Sequence, residues 1–568
     1  MSMNADPPRV AYIVSAELVK YADLLPSNKG RSSLVHSLAY HLDLLDLDGL
    51  DEDDVNISGT SSVTSQKAAL LLAVRADASA SPTADVNRRR AKVYLPNAAT
   101  YQQLTSYHEE AFVKQLGKGA RAGDLECTLS KRRKLDRNPA SNSEASSSDS
   151  EASVASFHGS DSSMEMRLRP SSSLSDSQSK GGYKRILLAK DQFGLQDDCP
   201  AFEGLQQHVS LVAGAAITAA ELLATGQADI AIAWDGGRHH AKKSSASGFC
   251  YINDVVLAIL SLRKPRKVTV TTSVPRIQEE EKEKDDVEMI RKTTIKRVDR
   301  VLYLDFDLHW GDGVEEAFHS TSNVLTLSIH HYAPGFFPCY AASANPERFT
   351  PPGSLKSDAG AGSRTLNIPL GIGTSDDSLE RIMSGTIQPL FEAWDPEIVV
   401  VQCGVDGLAG DPMAVWNLSA AAYVKAIQSV LSWNKPVLLL GGGGYNSENA
   451  ARCWSLLTAV CLGRFHSNGS ERNRSPTEAS LKQPVPLTEH ERDSSKDAKR
   501  DRQAAATSLL DTISYDTAIP DHKFWPKYAP TYTLGVPAGE MIDQNNEAHF
   551  EAISKTFIEH VKMVSASR

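Results

Sequence analysis

The sequence predicts an α/β fold, in which a mainly parallel sheet is flanked by helices on both faces. Three observations support this prediction. Short apolar segments recur along the chain, helix-like amphipathic segments separate them, and several of the apolar segments run directly into turns rich in glycine and charged residues. Continuous apolar strands that alternate with helices are typical of parallel sheets buried on both faces. Ligands of such sheets bind at the carboxyl ends of the strands.

Each predicted element follows from this alternation of patterns. The apolar segments predict strands at 10–14, 228–234, 300–307, 324–330, 397–404 and 436–444. The amphipathic segments predict helices at 208–226, 251–263, 420–433 and 447–463. Together they predict a single domain over residues 9–566.

Three segments interrupt the pattern and are expected to be flexible surface insertions. Residues 119–182 are basic and then serine-rich and acidic, whereas residues 264–298 and 464–506 are strongly charged. We expect disorder in them because they hold too few large apolar side chains to offset the entropy of ordering. The basic stretch at 131–134 predicts a nuclear import signal, and a solvated linker is the alternative.

Composition limits the function classes. The chain has 568 residues, 41% of them hydrophobic, and a net charge of −10, which gives no overall attraction to nucleic acid. The seven cysteines form no CxxC pair, which argues for a reducing compartment and against a disulfide framework. No secretory signal and no apolar stretch of membrane-spanning length is visible, so the sequence predicts a soluble intracellular protein without a membrane partner.

The stretch VLYLDFDLHWGDG, residues 301–313, begins as a buried strand and ends in charged residues. In an extended chain Asp305, Asp307 and His309 share one face, where two carboxylates and an imidazole need compensation. A metal cation would supply it. A strand end whose charges simply meet water is the alternative.

Two other strand ends carry matching residues. His239 and His240 follow the segment 228–234, and Asp406 follows the segment 397–404. Asp307, His309 and Asp406 would supply three ligands and leave one position open, the layout of a catalytic zinc site. Fe²⁺ also suits these ligand types. The paired histidines are expected to act as a general acid–base pair, although a lone histidine pair is more often structural.

The segment GGGGYN, residues 441–446, follows the last predicted strand. A glycine run can be a tight turn or a phosphate cradle, but the lysine and serine or threonine of a Walker pattern are missing here. Four glycines would instead let the backbone approach a narrow pocket and carry Tyr445 into it. A phenol in that place could donate a hydrogen bond to a developing oxyanion.

These segments resemble the signature blocks of zinc-dependent class I histone deacetylases. The blocks are RHHAKKSSASGFCYIND, LYLDFDLHWGDGVEEAF, HHYAPGFFP, VQCGVDGLAGDPM and LLLGGGGYNSENAARCW. The resemblance covers nearly everything outside the three insertions and is closest to the small stand-alone branch that includes the fungal Hos-type enzymes. It implies an arginase–deacetylase-like domain.

The resemblance also implies a role for individual residues. The implied zinc ligands are Asp307, His309 and Asp406. The implied catalytic residues are His240 as general base and acid, His239 as its electrostatic partner, Asp305 and Asp312 as the carboxylates that orient them, and Tyr445. The implied substrate contacts are Gly248, Phe249, Phe337 and Met413 in an acetyl-lysine tunnel, Asp198 at its rim, and Arg31 in an acetate-release channel. Structural K⁺ is implied at Asp305, Asp307, His309, Phe318, Thr321, Val324 and Ser328.

Three residues depart from the family pattern. Trp310 stands where the family usually repeats histidine, Arg238 precedes the paired histidines, and Cys339 replaces a glycine. These departures bear on substrate preference and local packing. Every catalytic position is filled.

The implied activity is hydrolysis of N6-acetyl-lysine in proteins. The expected partners are acetylated histone tails or other acetylated nuclear proteins and a corepressor complex, without direct binding of nucleic acid. The expected location is the nucleus, with a cytoplasmic pool as the alternative. An acetylpolyamine amidohydrolase and a non-catalytic chromatin scaffold are the competing interpretations.

Overall fold

A nine-stranded parallel sheet forms the centre of the structure, which is a computed structural model. The structure describes residues 7–48, 50, 66–74, 88–118, 192–275, 287–339, 353–355, 364–467 and 512–566. The described residues up to 118 and from 193 onward belong to one compact unit.

The strands are short and mostly apolar. They are β1 Val10–Ile13, β2 Leu45–Asp46, β3 Ala91–Tyr94, β4 Ile230–Ala233, β5 Arg266–Pro275, β6 Val287–Lys296, β7 Val301–Asp305, β8 Val324–His331, β9 Thr365–Leu370, β10 Ile398–Gln402 and β11 Val437–Leu440. The large sheet has the order β2-β3-β1-β4-β11-β10-β7-β8-β9, and all of its neighbouring strands pair in parallel. The predicted fold class is therefore confirmed.

Helices cover the sheet. They are α1 Ala16–Ala22, α2 Arg31–His41, α3 Gln66–Ala73, α4 Tyr101–Leu104, α5 Glu110–Leu116, α6 Leu205–Ala224, α7 Asp254–Leu262, α8 Asp312–Phe318, α9 Asp376–Ile382, α10 Gln388–Trp394, α11 Ala420–Ser432, α12 Ser447–Cys461 and α13 Glu547–Ala566. A π-helical turn at Met383–Ile387 joins α9 to α10, and a 3₁₀ turn occupies Trp525–Tyr528. All ten predicted strands and helices are present, with ends that differ by a few residues.

Two apolar layers enclose the sheet because its side chains alternate between the faces. In β7, Leu302 and Leu304 belong to the layer that includes α2, α11 and α12. Val301 and Tyr303 belong to the opposite layer, which includes α6 and α7. Burial on both faces explains why β7 reads as a continuous apolar run.

Part of the segment 264–298 is not disordered, because strands β5 and β6 pair there as an antiparallel hairpin from Arg266 opposite Lys296 to Pro275 opposite Val287. Threonine and valine are frequent in this segment, and both favour strands. The charged residues that suggested disorder are concentrated at 276–286, which lie outside the described residues. The expected insertion at 119–182, and residues 468–506 of the one at 464–506, lie outside the described residues.

Helix α6 corrects the statement that no apolar stretch reaches membrane-spanning length. It is long and apolar enough to cross a membrane, although 72% of its apolar window is buried inside the protein. That burial is typical of a core helix. Among the described residues, the six cysteines are free and buried.

Candidate active site

Four neighbouring strands, β4, β11, β10 and β7, end at the same edge of the sheet. Their registers align, since Gln402 lies opposite both Asp305 and Leu440, and Leu440 lies opposite Ala233. The segments that follow these strands carry the polar residues singled out by sequence. The candidate site is therefore at the carboxyl edge of a parallel sheet, where such sheets bind ligands.

Asp307, His309 and Asp406 meet at this edge and could hold a metal ion. All three are buried, and one ligand atom from each lies within 4.8 Å of the others. Nδ1 of His309 lies 2.9 Å from Oδ2 of Asp406 and 3.2 Å from Oδ1 of Asp307. Two buried carboxylates beside an imidazole fit a divalent cation, which would compensate their charge.

The path of the chain to these ligands differs from the prediction. Residues 305, 307 and 309 were expected to share one face of an extended strand, but β7 ends at Asp305 and the chain then bends. Asp305 bonds to His239 instead of joining the three ligands. Convergence of Asp307 and His309 thus depends on the bend rather than on strand alternation.

Backbone and side-chain donors fix the two ligand carboxylates. Oδ2 of Asp307 accepts hydrogen bonds from Nε2 of Gln402 and from the backbone N–H of Gly443, both at 2.7 Å. Oδ1 of Asp406 accepts from the N–H of Leu308 at 2.9 Å. A Cβ atom at Gly443 would lie 2.3 Å from Oδ2 of Asp406, so the close approach requires glycine.

The adjacent histidines each bond to a different carboxylate. Nδ1 of His239 lies 2.8 Å from Oδ2 of Asp305, which also accepts from the Tyr303 hydroxyl at 2.6 Å. Nδ1 of His240 lies 2.8 Å from Oδ1 of Asp312. These contacts fix both rings and leave each Nε2 for other partners. The structure thus brings together the histidine–carboxylate pairs that the sequence predicted.

The surroundings shift the pKa values of the two rings in opposite directions. Burial lowers the pKa of His239, but the carboxylates of Asp305 and Asp307 outweigh burial and raise that pKa to about 9. Burial and the neighbouring His239 lower the pKa of His240 to about 3. The lowered pKa favours the neutral imidazole at His240, the state required of a general base.

Two side chains that the sequence analysis missed support these histidines. Nζ of Lys242 lies 2.6 Å from Oδ2 of Asp312. Asp254 is buried and accepts from the backbone N–H groups of Gly237, at 3.0 Å, and Arg238, at 2.7 Å. Burial raises the pKa of Asp254 to about 6. The signal for Lys242 was its place two residues after His240, and Asp254 stands near the start of a predicted helix.

Backbone contacts hold Tyr445 at the site. Its N–H donates to Oδ2 of Asp411 at 2.7 Å, and its ring lies edge-on to Phe249 with centroids 5.7 Å apart. Arg31 is buried and donates to the carbonyl oxygens of Gly444, at 2.8 Å, and Gly442, at 3.0 Å. Both glycines have positive φ, 127° and 150°, which suits residues without a side chain. Asp411 is a further residue that sequence reasoning missed.

Phe337 and the backbone of Gly248 pack against His240. The centroid of Phe337 lies 4.8 Å from that of His240, and the N–H of Gly248 donates to Oδ2 of Asp198 at 2.7 Å. A Cβ atom at Gly248 would lie 2.5 Å from the His240 ring and 2.7 Å from Phe337, so this close approach requires glycine. Phe337 thus packs against His240, whereas Phe249 packs against Tyr445.

Two further residues complete the surroundings of the site. Met413 is half-buried and lies on the same loop as Asp411, whose Oδ1 accepts from its N–H at 3.0 Å. Phe336 stacks on the ring of His309, with centroids 5.1 Å apart and planes 8° apart. Sequence reasoning singled out Phe337 and missed Phe336, although both belong to the quoted block PGFFP.

The three departures from the family pattern are all buried. The indole of Trp310 donates to Glu315, and a guanidinium nitrogen of Arg238 donates to the carbonyl of Asp235 at 3.1 Å. The carbonyl oxygen of Cys339 accepts from the N–H of Gly335 at 3.1 Å.

Some of the residues expected to bind structural K⁺ lie next to one another. Ser328 lies opposite Asp305 in the register of β7 and β8, and the carbonyl of Phe318 accepts from the N–H of Thr321 at 3.0 Å. A structural K⁺ at these positions stays a prediction.

The fold and the site together define an α/β protein with a candidate metal centre beside two histidine–carboxylate pairs. A histone deacetylase domain matches residues 68–271 and 287–461, more than half of the chain. Histone deacetylase 8 of Xenopus tropicalis is 36% identical over 376 residues, which are 66% of this chain and 76% of that protein. Histone deacetylase 8 of Danio rerio is 35% identical over 375 residues, which are 66% of this chain and 74% of that protein.

Histone deacetylase 1 of Homo sapiens is 40% identical over 274 residues, which are 48% of this chain and 47% of that protein. The chain belongs to the histone deacetylase family, which confirms the resemblance seen in the sequence. Membership supports a lysine deacetylase activity, and therefore a hydrolase, with a metal at the candidate site and acetylated proteins as substrates.

Proposed function

We propose that the protein is a zinc-dependent class I deacetylase of N6-acetyl-lysine in histones or other nuclear proteins. One observation carries the proposal. The buried ligand set of Asp307, His309 and Asp406 lies beside the His239–Asp305 and His240–Asp312 pairs at the carboxyl edge of the sheet. The similarity to histone deacetylases 8 and 1 supports the class I assignment.

The ligand set favours zinc. Three protein ligands leave a position for water or substrate, as in catalytic zinc sites, although Fe²⁺ also suits two carboxylates and one imidazole. When bound, the cation would supply Lewis acidity toward the amide carbonyl and lower the pKa of water. Metal analysis of the purified chain identifies the ion.

Each residue around this position would have a separate role in amide hydrolysis. His240, whose Nδ1 is engaged by Asp312, would use Nε2 to take a proton from water and then return it to the leaving amine. His239 would add positive charge beside it. The phenol of Tyr445 would donate a hydrogen bond to the developing oxyanion. Burial raises the pKa of Tyr445 well above its usual range, which keeps this donor protonated.

We expect a narrow apolar passage beside His240 for the stem of acetyl-lysine. Phe249 and Phe337 would provide its apolar walls, and Gly248 has no side chain to fill the space between Phe337 and His240. Four methylenes match such a narrow apolar passage. Asp198, which lies against the Gly248 backbone, would bind the peptide backbone of the substrate at the rim. Arg31 would bind the acetate product on its way out.

A competition between substrates tests this proposal. Turnover of an acetylated histone-tail peptide is compared with turnover of acetylspermidine by the same preparation. The proposal predicts a higher kcat/KM for the peptide, because Asp198 contributes only when a peptide backbone is present. Faster turnover of acetylspermidine would overturn it in favour of an acetylpolyamine amidohydrolase. Failure to hydrolyse either substrate would favour a non-catalytic scaffold.

We further propose a nuclear role in transcription regulation within a corepressor complex. The basic residues 131–134 support nuclear import, and they lie outside the described residues. We also propose a structural K⁺ near Asp305 and Ser328. The cation would compensate the charge of buried oxygen ligands behind the active site.

A further inference from the structure

Trp310 lies in the turn between His309 and Asp312, and its indole bonds to a buried carboxyl group. Trp310 is 8% exposed, and its Nε1–H donates to Oε2 of Glu315 at 2.8 Å. The same oxygen accepts from Nδ2 of Asn367 at 2.9 Å. Because Glu315 belongs to α8 and Asn367 to β9, one carboxylate oxygen joins the turn to a helix and a strand.

Further contacts fix the indole of Trp310 and the backbone of Gly311 in the turn. A Cβ atom at Gly353 would lie 3.0 Å from the Trp310 ring, so this glycine packs against the indole. The Gly353 carbonyl accepts from Nε2 of His330 at 2.8 Å. Nδ1 of His330 in turn lies 2.9 Å from Oγ of Ser328, which accepts from the N–H of Gly311 at 3.2 Å. The indole thus occupies a site built around it.

Glu315 has no part in the proposed chemistry, yet it is 7% exposed. Burial raises its pKa to about 7, whereas the bonds from Asn367 and Trp310 lower that pKa. A buried carboxyl group needs such donors, because unpaired it is costly to keep away from water. The histidine usual at position 310 in the family has a smaller ring.

We propose that Trp310 is a positioning residue, which acts through Glu315 to fix the turn 309–312. That turn carries a ligand at its first residue and the carboxylate that orients His240 at its last. Fixing it sets the position of the metal relative to the general base. The inference rests on the proposed function, because that function identifies the site as a metal site. It does not depend on which acyl substrate is hydrolysed.

Metal affinity tests this inference without reference to turnover. The full-length apoprotein is titrated with Zn²⁺ against a chromophoric chelator. Trp310→Phe, which keeps an aromatic ring but removes the N–H donor, is expected to raise the zinc Kd about 10–100-fold, as loss of outer contacts to metal ligands commonly does. Glu315→Gln retains an acceptor oxygen for the indole and should keep most of the affinity. Glu315→Leu should resemble Trp310→Phe.

Trp433→Phe is the matched control. Trp433 is 7% exposed, and its Nε1–H donates to Oε1 of Gln388 at 2.5 Å, so the same atoms are lost in a different part of the core. This variant should bind zinc like the wild type even if it unfolds at a lower temperature. A merely structural role of Trp310 would lower the melting temperature of both variants and leave the zinc Kd unchanged.

The outcomes separate the inference from the proposed function. Equal zinc affinity of Trp310→Phe and Trp433→Phe would overturn the positioning role, whatever the activity. With saturating zinc, we expect kcat of Trp310→Phe to fall about 10–100-fold with little change in KM, since the walls of the passage are untouched. A wild type that binds zinc but hydrolyses no acetyl-lysine peptide would overturn the proposed function alone. A wild type that binds no zinc would overturn both.

Discussion

The phenol of Tyr445 offers the most informative single substitution, Tyr445→Phe. The hydroxyl is not needed as a ligand, because Asp307, His309 and Asp406 already supply three. The contacts that hold the residue run through its backbone N–H to Asp411 and through its ring to Phe249. Both contacts survive the substitution, so the fold and the zinc content should be retained.

The expected effect is on turnover. Loss of one oxyanion donor typically costs about 2.7–4 kcal/mol, a rate decrease on the order of 10²–10³. Binding of acetyl-lysine should change far less, because the phenyl ring still contacts Phe249. A large decrease in kcat with a nearly constant KM is characteristic of an interaction made in the transition state.

The assay measures kcat, KM, zinc content and thermal midpoint on one preparation of each protein. If Tyr445 only packs against neighbouring residues, Tyr445→Phe will unfold at a lower temperature while turnover per folded molecule stays normal. That result would refute the assignment of the oxyanion donor.

Three other changes test separate parts of the account. Asp406→Asn should abolish activity and weaken metal binding, since a neutral amide is a poorer ligand than a carboxylate; full metal content with normal turnover would exclude Asp406 as a ligand. Gly443→Ala should lower zinc affinity in a titration, because its Cβ would lie 2.3 Å from Asp406, whereas Gly385→Ala, with no atom within 4 Å of its Cβ, serves as the control. Deletion of residues 131–134 should shift the protein toward the cytoplasm in cell imaging and leave purified activity unchanged; undiminished nuclear accumulation would count against the import signal.

The large sheet was predictable where burial on both faces produced continuous apolar runs, as in β7 and β10. Strand β9, with the sequence TLNIPL, was missed because a polar residue and a proline interrupt its apolar pattern. Strand β2 has only two residues, which is too short for any periodic signal. The hairpin of β5 and β6 was missed because the charged residues between its strands dominated the composition of the whole segment.

Much of the site could be predicted because its residues follow strands directly. His239, Asp307 and Asp406 stand just beyond three apolar runs, and the strands of these runs, β4, β7 and β10, lie within four consecutive strands of the sheet. The supporting residues gave weaker signals, since Lys242 and Glu315 act through contacts that sequence spacing does not define. Trp310 was recognised as a departure from the family, but its hydrogen bond to Glu315 depends on how α8 packs beside the turn.

Release of acetate as a function of added zinc is the most direct test of the central claim. The metal-free protein is titrated with Zn²⁺ while it is incubated with an acetylated histone-tail peptide, and acetate and free lysine amine are both quantified. We predict that activity rises with added zinc and reaches a plateau at about one equivalent per chain. Acetate and free amine should be released in equal amounts. Saturation of the site with zinc or Fe²⁺ without release of acetate from any acetyl-lysine peptide would contradict the account.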